Sequence, residues 1–151
     1  MIGAAAFPEK RCTVLLVDDL CDSREMYAFF LRAAGYAVHE ASDGSDAVAF
    51  AVEFRPDVIV MDLSLPQMDG FTAIEQLVTN AETAAIPIVV LSARTFPADE
   101  KRAKDAGAAA FLGKPCTPHH LAHTVRLVSE SCEKAFTVAA GPAAASVAPA
   151  V

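Results

Sequence analysis

Short apolar runs rich in β-branched residues alternate five times with patterns typical of amphipathic helices. The runs predict β-strands at 13–17, about 37–41, 57–62, 86–91 and 109–112. The run at 57–62 is apolar at every position between its two terminal aspartates, as expected for a central parallel strand covered on both faces. Strands that alternate with helices indicate βαβ units, and therefore an α/β fold with a parallel sheet.

The helical patterns have recognisable starts and ends. Asp22, with Glu25 three residues later, resembles a capping box for the first helix, and Gly35 stands where a glycine commonly ends one. The face of this helix predicted to meet the core consists of Met26, Phe29, Phe30 and Ala33. The later helices are predicted to begin at Ser42 or Asp43, near Asp69 and Gly70, at about Ala98, and at Thr117 with Pro118.

The fourth predicted helix, about 98–106 and closed by Gly107, differs from the others because it offers only alanines to the core. Alanine buries little apolar area, so packing anchors this helix weakly. We therefore expect it to be the most easily rearranged of the helices.

The balance of charge limits the partners of the chain. Its 151 residues include 12 Lys and Arg against 19 Asp and Glu, which gives a formal net charge of −7. Such a chain repels phosphate backbones, so we expect no direct binding to nucleic acid. No stretch approaches the roughly 20 apolar residues that cross a bilayer, so we expect no membrane insertion. The charges within 1–11 follow its apolar residues, the reverse of a signal peptide, and we expect a soluble, cytoplasmic protein.

Composition divides the chain into three parts. Residues 135–151 contain no charged side chain and consist mostly of Ala, Val, Pro and Gly, which predicts a flexible tail. Residues 1–11 precede the first strand and form an N-terminal extension. The remaining residues, 12–134, have a length suited to one compact core.

Cysteine and histidine spacing gives little support to a zinc or disulfide framework. The four cysteines are Cys12, Cys21, Cys116 and Cys132. They include no C-x-x-C pair, so we expect reduced thiols. His119, His120 and His123 share faces of the fifth helix and raise the alternative of a metal site. We disfavour it because the first turn of a helix opposes a charged imidazole and no acidic residue lies nearby in the sequence.

The polar residues lie at the carboxyl ends of the predicted strands. Asp18 and Asp19 end the first strand and Asp62 ends the third, whereas Ser92 ends the fourth and Lys114 follows the fifth. Ligands of open α/β sheets bind beyond these strand ends, so the combination predicts one site. Taken alone, Asp18, Asp19 or Ser92 is better explained as an ordinary turn or helix-cap residue, and only the combination points to a site.

Three carboxylates brought together repel one another, and each raises the pKa of the others unless a cation is bound. Hard oxygen ligands that leave coordination positions open suit Mg²⁺, which binds a few carboxylates together with a phosphoryl group. The cluster of Asp18, Asp19 and Asp62 therefore predicts a magnesium site.

Four motifs, in order, resemble the receiver domain of two-component response regulators. They are Val17-Asp18-Asp19, the segment MDLSLPQMDG at 61–70, Leu91-Ser92-Ala93 and Lys114-Pro115. The spacing is also typical of that family, with Ser92 30 positions after Asp62 and Lys114 22 positions after Ser92. The resemblance covers about 12–134. It implies a doubly wound (βα)5 flavodoxin-like sandwich with a five-stranded parallel sheet in the order 2-1-3-4-5.

The resemblance implies that Asp62 is the phosphoacceptor. Its carboxylate would take a phosphoryl group from the histidine of a sensor kinase or phosphotransfer protein, or from a small donor. Asp18 and Asp19 would hold Mg²⁺ together with Asp62, and the main-chain carbonyl of Ser64 would be a further ligand.

The resemblance also implies how the phosphoryl group would change the surface. Lys114 would pair with Asp62 at rest and with the phosphoryl oxygens afterwards. Ser92 would donate its hydroxyl to the phosphoryl group, and Phe111 would rotate inward as the switch residue. Arg94, two residues beyond Ser92, occupies a position that tunes the lifetime of the phosphate in this family.

Two classes of function fit these residues. The first is a single-domain response regulator, a phosphorylation switch in phosphorelay signalling that catalyses only its own phosphoryl transfer and dephosphorylation and acts on an unknown protein target. The alternative is a Mg²⁺-dependent phosphatase with an aspartate nucleophile on a similar fold. Such phosphatases need a second aspartate two residues after the nucleophile, where this chain has Ser64, and usually carry a cap domain.

Overall fold

The computed structural model describes residues 11–140, with side chains described as far as Ser129. Five strands and five helices alternate along this part of the chain. The strands are β1 Thr13–Val17, β2 Ala37–Ala41, β3 Val58–Met61, β4 Ile88–Ser92 and β5 Ala110–Gly113. The helices are α1 Cys21–Ala33, α2 Gly44–Phe54, α3 Gly70–Thr79, α4 Pro97–Ala106 and α5 Pro118–Ala140.

The strands form one parallel sheet in the order β2-β1-β3-β4-β5, which confirms the predicted fold class. All four residues of β3 are buried, because this strand lies in the middle of the sheet and is covered on both faces. The chain order changes direction between β1 and β3, and the carboxyl ends of these strands open the crevice in which α/β folds bind their ligands.

Helices cover both faces of the sheet and bury two separate apolar clusters. On one face, α2, α3 and α4 pack against alternate residues of the central strands, including Leu15 and Ile59. On the other face, α1 and α5 pack against the intervening residues, including Leu16 and Val60. This alternation follows from the period of two in a strand, which directs successive side chains to opposite faces.

The structure corrects the predicted orientation of α1. The residues that this helix buries are Tyr27, Ala28 and Leu31. The predicted inner face of Met26, Phe29, Phe30 and Ala33 is exposed, with 66% of Phe29 accessible. The prediction was wrong because the larger apolar residues lie on the outer side, whereas Ala28 allows close approach to the sheet and Tyr27 has a buried hydrogen-bond partner.

The first helix also begins differently from the prediction. Leu20 occupies the N-cap position and makes no side-chain capping bond, so Asp22 and Glu25 do not form a capping box. Asp22 lies in the first turn, where its negative charge interacts favourably with the helix dipole. Glu25 instead accepts a hydrogen bond from the Cys21 thiol at 3.3 Å.

Other helix boundaries agree with the sequence. Asp43, Asp69 and Thr117 cap α2, α3 and α5 by accepting main-chain N–H groups of the first turn. Gly35 and Gly107 follow α1 and α4 with φ values of 105° and 123°, which glycine adopts more readily than other residues.

The predicted chain ends fall partly outside the described residues. Helix α5 continues to Ala140, so 135–140 of the predicted tail belong to a helix. Residues 1–10 and 141–151 lie outside the described part of the chain. Within residues 11–140, no helix is both long and apolar enough to cross a membrane.

Candidate functional site

The strand register brings the predicted site residues to one edge of the sheet. Val17 of β1 pairs with Met61 of β3, so Asp18 and Asp62 follow adjacent strands at the same level. One oxygen from each carboxylate of Asp18, Asp19 and Asp62 lies within 4.8 Å of the others. The three residues are therefore close enough to share one cation.

Asp18 is nearly inaccessible to solvent, and its carboxylate accepts three hydrogen bonds. The main-chain N–H of Leu20 donates to Oδ1 at 3.0 Å, and the hydroxyl of Ser23 donates to Oδ2 at 2.8 Å. The third donor is the Lys114 ammonium, which lies 3.0 Å from Oδ2. The orientation of this carboxylate is therefore fixed by donors from the loop between β1 and α1, from α1, and from the segment after β5.

Asp62 is also buried, with 6% of its surface exposed. Its Oδ1 accepts the main-chain N–H of Ser64 at 2.9 Å, and its Oδ2 accepts the Lys114 ammonium at 3.2 Å. Burial raises the pKa of Asp62 above its usual range, and the negative charge of Asp18 adds to this, although the Ser64 and Lys114 bonds oppose it. The sequence predicted a pKa raised by neighbouring carboxylates, whereas the larger cause is the loss of water.

Lys114 bridges the two buried carboxylates. Its main-chain N–H donates to the Ser92 carbonyl at 2.8 Å, and its peptide bond to Pro115 is cis. Burial by itself lowers the pKa of Lys114, but hydrogen bonds and charge from Asp18 and Asp62 outweigh it and raise the pKa. The ammonium is therefore firmly protonated at neutral pH, and it compensates part of the negative charge of the cluster.

The acidic cluster fits Mg²⁺ by the chemistry of its donors. Asp18 and Asp62 are held in place by hydrogen bonds, while Asp19 and Ser64 are exposed to solvent at the mouth of the site. A hard cation held here would have carboxylate oxygens as ligands and would keep access to water, which is the environment that Mg²⁺ prefers. Among the described residues, His119, His120 and His123 form no comparable group, so the alternative metal site on α5 gains no support.

Ser92 lies fully buried at the end of β4. Its hydroxyl oxygen accepts the main-chain N–H of Arg94 at 3.1 Å. The Arg94 guanidinium contacts Asp99 at 3.2 Å and lies 5.2 Å from the centre of the Phe71 ring. In this state the Arg94 side chain is therefore engaged by α3 and α4.

The comparisons with known proteins agree with this geometry. The family described as the response regulator receiver domain matches residues 14–126. This chain belongs to the response regulator receiver family. Receiver domains are phosphorelay signalling switches that accept a phosphoryl group from histidine kinases or phosphotransfer proteins and bind Mg²⁺ at their acidic site. They are not enzymes in the usual sense, and the phosphatase alternative receives no support.

Individual relatives cover most of this receiver domain. Protein PilH of Pseudomonas aeruginosa is 37% identical over 117 residues, which are 76% of this chain and 95% of PilH. The chemotaxis protein CheY4 of Vibrio cholerae superimposes with a TM-score of 0.75 at 35% identity, covering 79% of this chain and 99% of CheY4. The receiver domain of sensor histidine kinase PA1611 from P. aeruginosa, described with a magnesium ion in its active-site cleft, gives 0.75 at 29% identity, covering 80% and 99%.

Sequence reasoning missed the residues of α1 that support the site of this receiver. Ser23 donates to the Asp18 carboxylate, and Arg24 donates from Nη1 to the Asp18 carbonyl at 2.9 Å. Arg24 is itself held by Glu40 of β2 at 3.1 Å. The signal available was their spacing from Asp18, because the first turn of a helix after a strand end lies beside that end.

Proposed function

We propose that Asp62 is the phosphoacceptor of this receiver and that residues 12–134 form the signalling unit, with 1–11 and 135–151 outside it. The observation that carries the proposal is the position of the Asp62 carboxylate, which lies 3.2 Å from the Lys114 ammonium and within 4.8 Å of carboxylate oxygens of Asp18 and Asp19. A nucleophile in this place faces one fixed positive charge and one cation-binding cluster. Both stabilise the charge of a transferring phosphoryl group.

The proposed reaction transfers a phosphoryl group from a covalent donor to the Asp62 carboxylate. An oxygen of the Asp62 carboxylate attacks the phosphorus of a phosphohistidine, or of a small donor such as acetyl phosphate. The P–N bond, or the P–O bond of the small donor, breaks with its electron pair leaving on imidazole or acetate. The product is an acyl phosphate on Asp62. Hydrolysis of this bond by water returns the carboxylate and inorganic phosphate, and this autodephosphorylation is the only further catalysis that we assign to the chain.

Asp18, Asp19 and Asp62 are the side chains that would hold Mg²⁺, with the Ser64 carbonyl as a further ligand. When bound, this cation neutralises charge on the phosphoryl oxygens. The Asp18 carboxylate is positioned for this role by the Leu20 N–H and the Ser23 hydroxyl.

Lys114, Ser92 and Phe111 would convert phosphorylation into a change of surface. Lys114 already contacts Asp62, so its ammonium can follow the charge from the carboxylate to the phosphoryl oxygens. Ser92 would turn its hydroxyl from the Arg94 N–H toward the phosphoryl group. Phe111 of β5 is partly buried against the apolar cluster on the face of the sheet that α2, α3 and α4 cover. An inward rotation of its ring would accompany rearrangement of α4.

The partners of the proposed switch are a sensor histidine kinase or a histidine phosphotransfer protein, and an unidentified downstream protein. Direct contact with nucleic acid is opposed by the net charge of −7. The cytoplasmic location stays a prediction from the sequence.

The deciding experiment treats the wild type and Asp62→Ala with acetyl phosphate and Mg²⁺ and measures intact mass. We expect one acid-stable, base-labile phosphoryl adduct on the wild type and none on Asp62→Ala. Asp105→Ala is the matched control, because Asp105 is an exposed carboxylate on α4 that pairs with Lys101. Absence of the adduct from the wild type, or an equal adduct on Asp62→Ala, would overturn the proposal.

A further inference from the structure

Tyr27 makes a buried hydrogen bond that links two distant parts of the chain. Its side chain lies on the inner face of α1 and is 4% exposed. The hydroxyl donates to the main-chain carbonyl of Cys116 at 2.8 Å, although the two residues are 89 positions apart. A buried hydroxyl that reaches a carbonyl in this way ties α1 to the segment that joins β5 and α5.

That segment carries Lys114. On one side of the lysine, the Lys114 N–H donates to the Ser92 carbonyl of β4 at 2.8 Å. On the other side, two residues later, the Cys116 carbonyl accepts the Tyr27 hydroxyl. The main chain of Lys114 is therefore held from both directions, by the end of β4 and by α1.

The position of this main chain determines what the ammonium can reach. The lysine side chain is a flexible four-carbon stem, so two simultaneous contacts require its Cα to be placed well. The Lys114 ammonium makes two such contacts, with Asp18 at 3.0 Å and with Asp62 at 3.2 Å. Displacement of the segment by a fraction of an ångström lengthens one or both.

We propose that Tyr27 is a positioning residue for phosphoryl transfer, acting through Cys116 to hold Lys114 where it contacts Asp62. The inference rests on the proposed role of Asp62 as phosphoacceptor. Tyr27 does not touch the reacting atoms itself. Ser23, one turn earlier on the same helix, bonds the Asp18 carboxylate, so α1 supports both the acidic cluster and its lysine.

The first test is Tyr27→Phe, which keeps the buried ring and removes only the hydroxyl. Loss of one neutral positioning hydrogen bond predicts phosphorylation by acetyl phosphate about fivefold slower at saturating Mg²⁺. Mg²⁺ affinity, measured by calorimetry, is expected to be unchanged because the aspartates are intact. Tyr36→Phe is the matched control. It removes the hydroxyl of the other tyrosine, which lies at the amino end of the strands next to Ala37, and we expect the wild-type rate.

The second test asks whether Tyr27 acts through Lys114. In a Lys114→Ala background, Tyr27→Phe is expected to have no further effect on the phosphorylation rate, so the two substitutions are non-additive. All rates are measured below the lowest thermal midpoint of the set, where a role in packing alone would leave them unchanged.

The outcomes separate this inference from the proposed function. A wild-type rate in Tyr27→Phe overturns the inference, and so does an equal fivefold loss in the Lys114→Ala background. Either result leaves Asp62 as the phosphoacceptor, provided that the wild type forms its adduct. Absence of any adduct on the wild type overturns the proposed function and the inference together.

Discussion

The guanidinium carbon of Arg102 lies 4.0 Å from the centre of the Phe71 ring, which is itself fully buried in α3. Arg94 approaches the same ring at 5.2 Å from the segment before α4. Ala103 is the residue that α4 buries. The buried apolar area of α4 is therefore small, as its alanine-only inner face led us to expect. The cation–π contact of Arg102, which the sequence did not predict, supplements it.

Backbone amides of α4 are expected to exchange with solvent faster than those of α1, α2 and α3. Arg102→Ala removes a contact of about 0.5–1 kcal/mol, so exchange in α4 rises roughly two- to fivefold. Hydrogen exchange followed by NMR measures both effects. Lys101→Ala is the control because the Lys101 side chain is 77% exposed and reaches only Asp105 of its own helix in an ion pair. Equal protection of α4 and α1 would contradict the weak anchoring of α4.

Asp62→Asn is expected to raise the thermal midpoint at pH 7. The pKa of Asp62 is raised in the folded protein, so the folded state holds this proton more tightly than the unfolded chain. Wild-type stability therefore falls as the pH rises from the pKa of Asp62 in the unfolded chain to its higher pKa in the folded protein. Asparagine cannot ionise, so the variant does not lose this stability. The gain shrinks toward zero below about pH 3.9, the ordinary pKa of aspartate, where both states are protonated. Thermal unfolding in the absence of divalent cations, from pH 3 to 8, tests the sign, with Asp105→Asn expected to show no such trend.

Mg²⁺ is expected to stabilise the wild type against unfolding because it binds the assembled cluster of the folded state. At a free concentration ten times the dissociation constant, the gain is about 1.4 kcal/mol. Asp19→Asn should reduce this gain while changing the metal-free stability little, since Asp19 is exposed. Asp22→Asn, an exposed acid three residues later, serves as the control and should keep the full gain. Urea unfolding with and without MgCl₂ gives both quantities.

Lys114→Met is expected to destabilise the metal-free protein at pH 7 by about 3 kcal/mol, because it leaves two buried carboxylates without their cation. Added Mg²⁺ should restore part of that loss. Lys104→Met removes a lysine whose ion pair with Glu100 is about half exposed, and we expect a loss of about 0.5 kcal/mol. Similar losses in the two variants would show that the buried bridge adds nothing beyond a surface pair.

Gly70→Ala is expected to damage the site more than Gly35→Ala. A Cβ at Gly70 would overlap the main-chain carbonyl of Asp62 and the Cα of Leu63, so α3 must move away from the end of β3. At Gly35 there is open space, and the cost is the backbone strain at its φ of 105°, about 1 kcal/mol. Thermal unfolding and the acetyl phosphate adduct are the measurements. A Gly70→Ala variant as stable and as readily phosphorylated as Gly35→Ala would refute the close contact.

The fold and the main residues of the site could be predicted from the sequence. Strand ends are predictable because β-branched runs stop abruptly at residues such as Asp18 and Asp62, and parallel strands bring those ends together. The face of α1 was not predictable from periodicity, since two stripes offset by two residues both satisfy helical spacing. The more apolar stripe faces solvent, and the chosen one is fixed by the fit of Ala28 against the sheet and by the bond of Tyr27 to Cys116.

The main cause of the raised pKa of Asp62 could not be predicted from the sequence either. The position of Asp62 after β3 was clear, but only the three-dimensional arrangement shows that loss of water outweighs the charge of Asp18 in raising its pKa. The contact of Arg102 with the Phe71 ring depends on which turn of α4 faces α3, and sequence spacing does not determine this.

The separation of Asp18 and Lys114 by 96 positions sets the order in which the site can be completed during biosynthesis. The N-terminal aspartates emerge from the ribosome well before β5, so a nascent chain carries the acidic residues without their lysine. Closing so long a loop has an entropic cost that is recovered only when β5 joins the edge of the sheet. In the proposed mechanism, which uses Lys114, competence for phosphoryl transfer is therefore acquired only when β5 has joined the sheet.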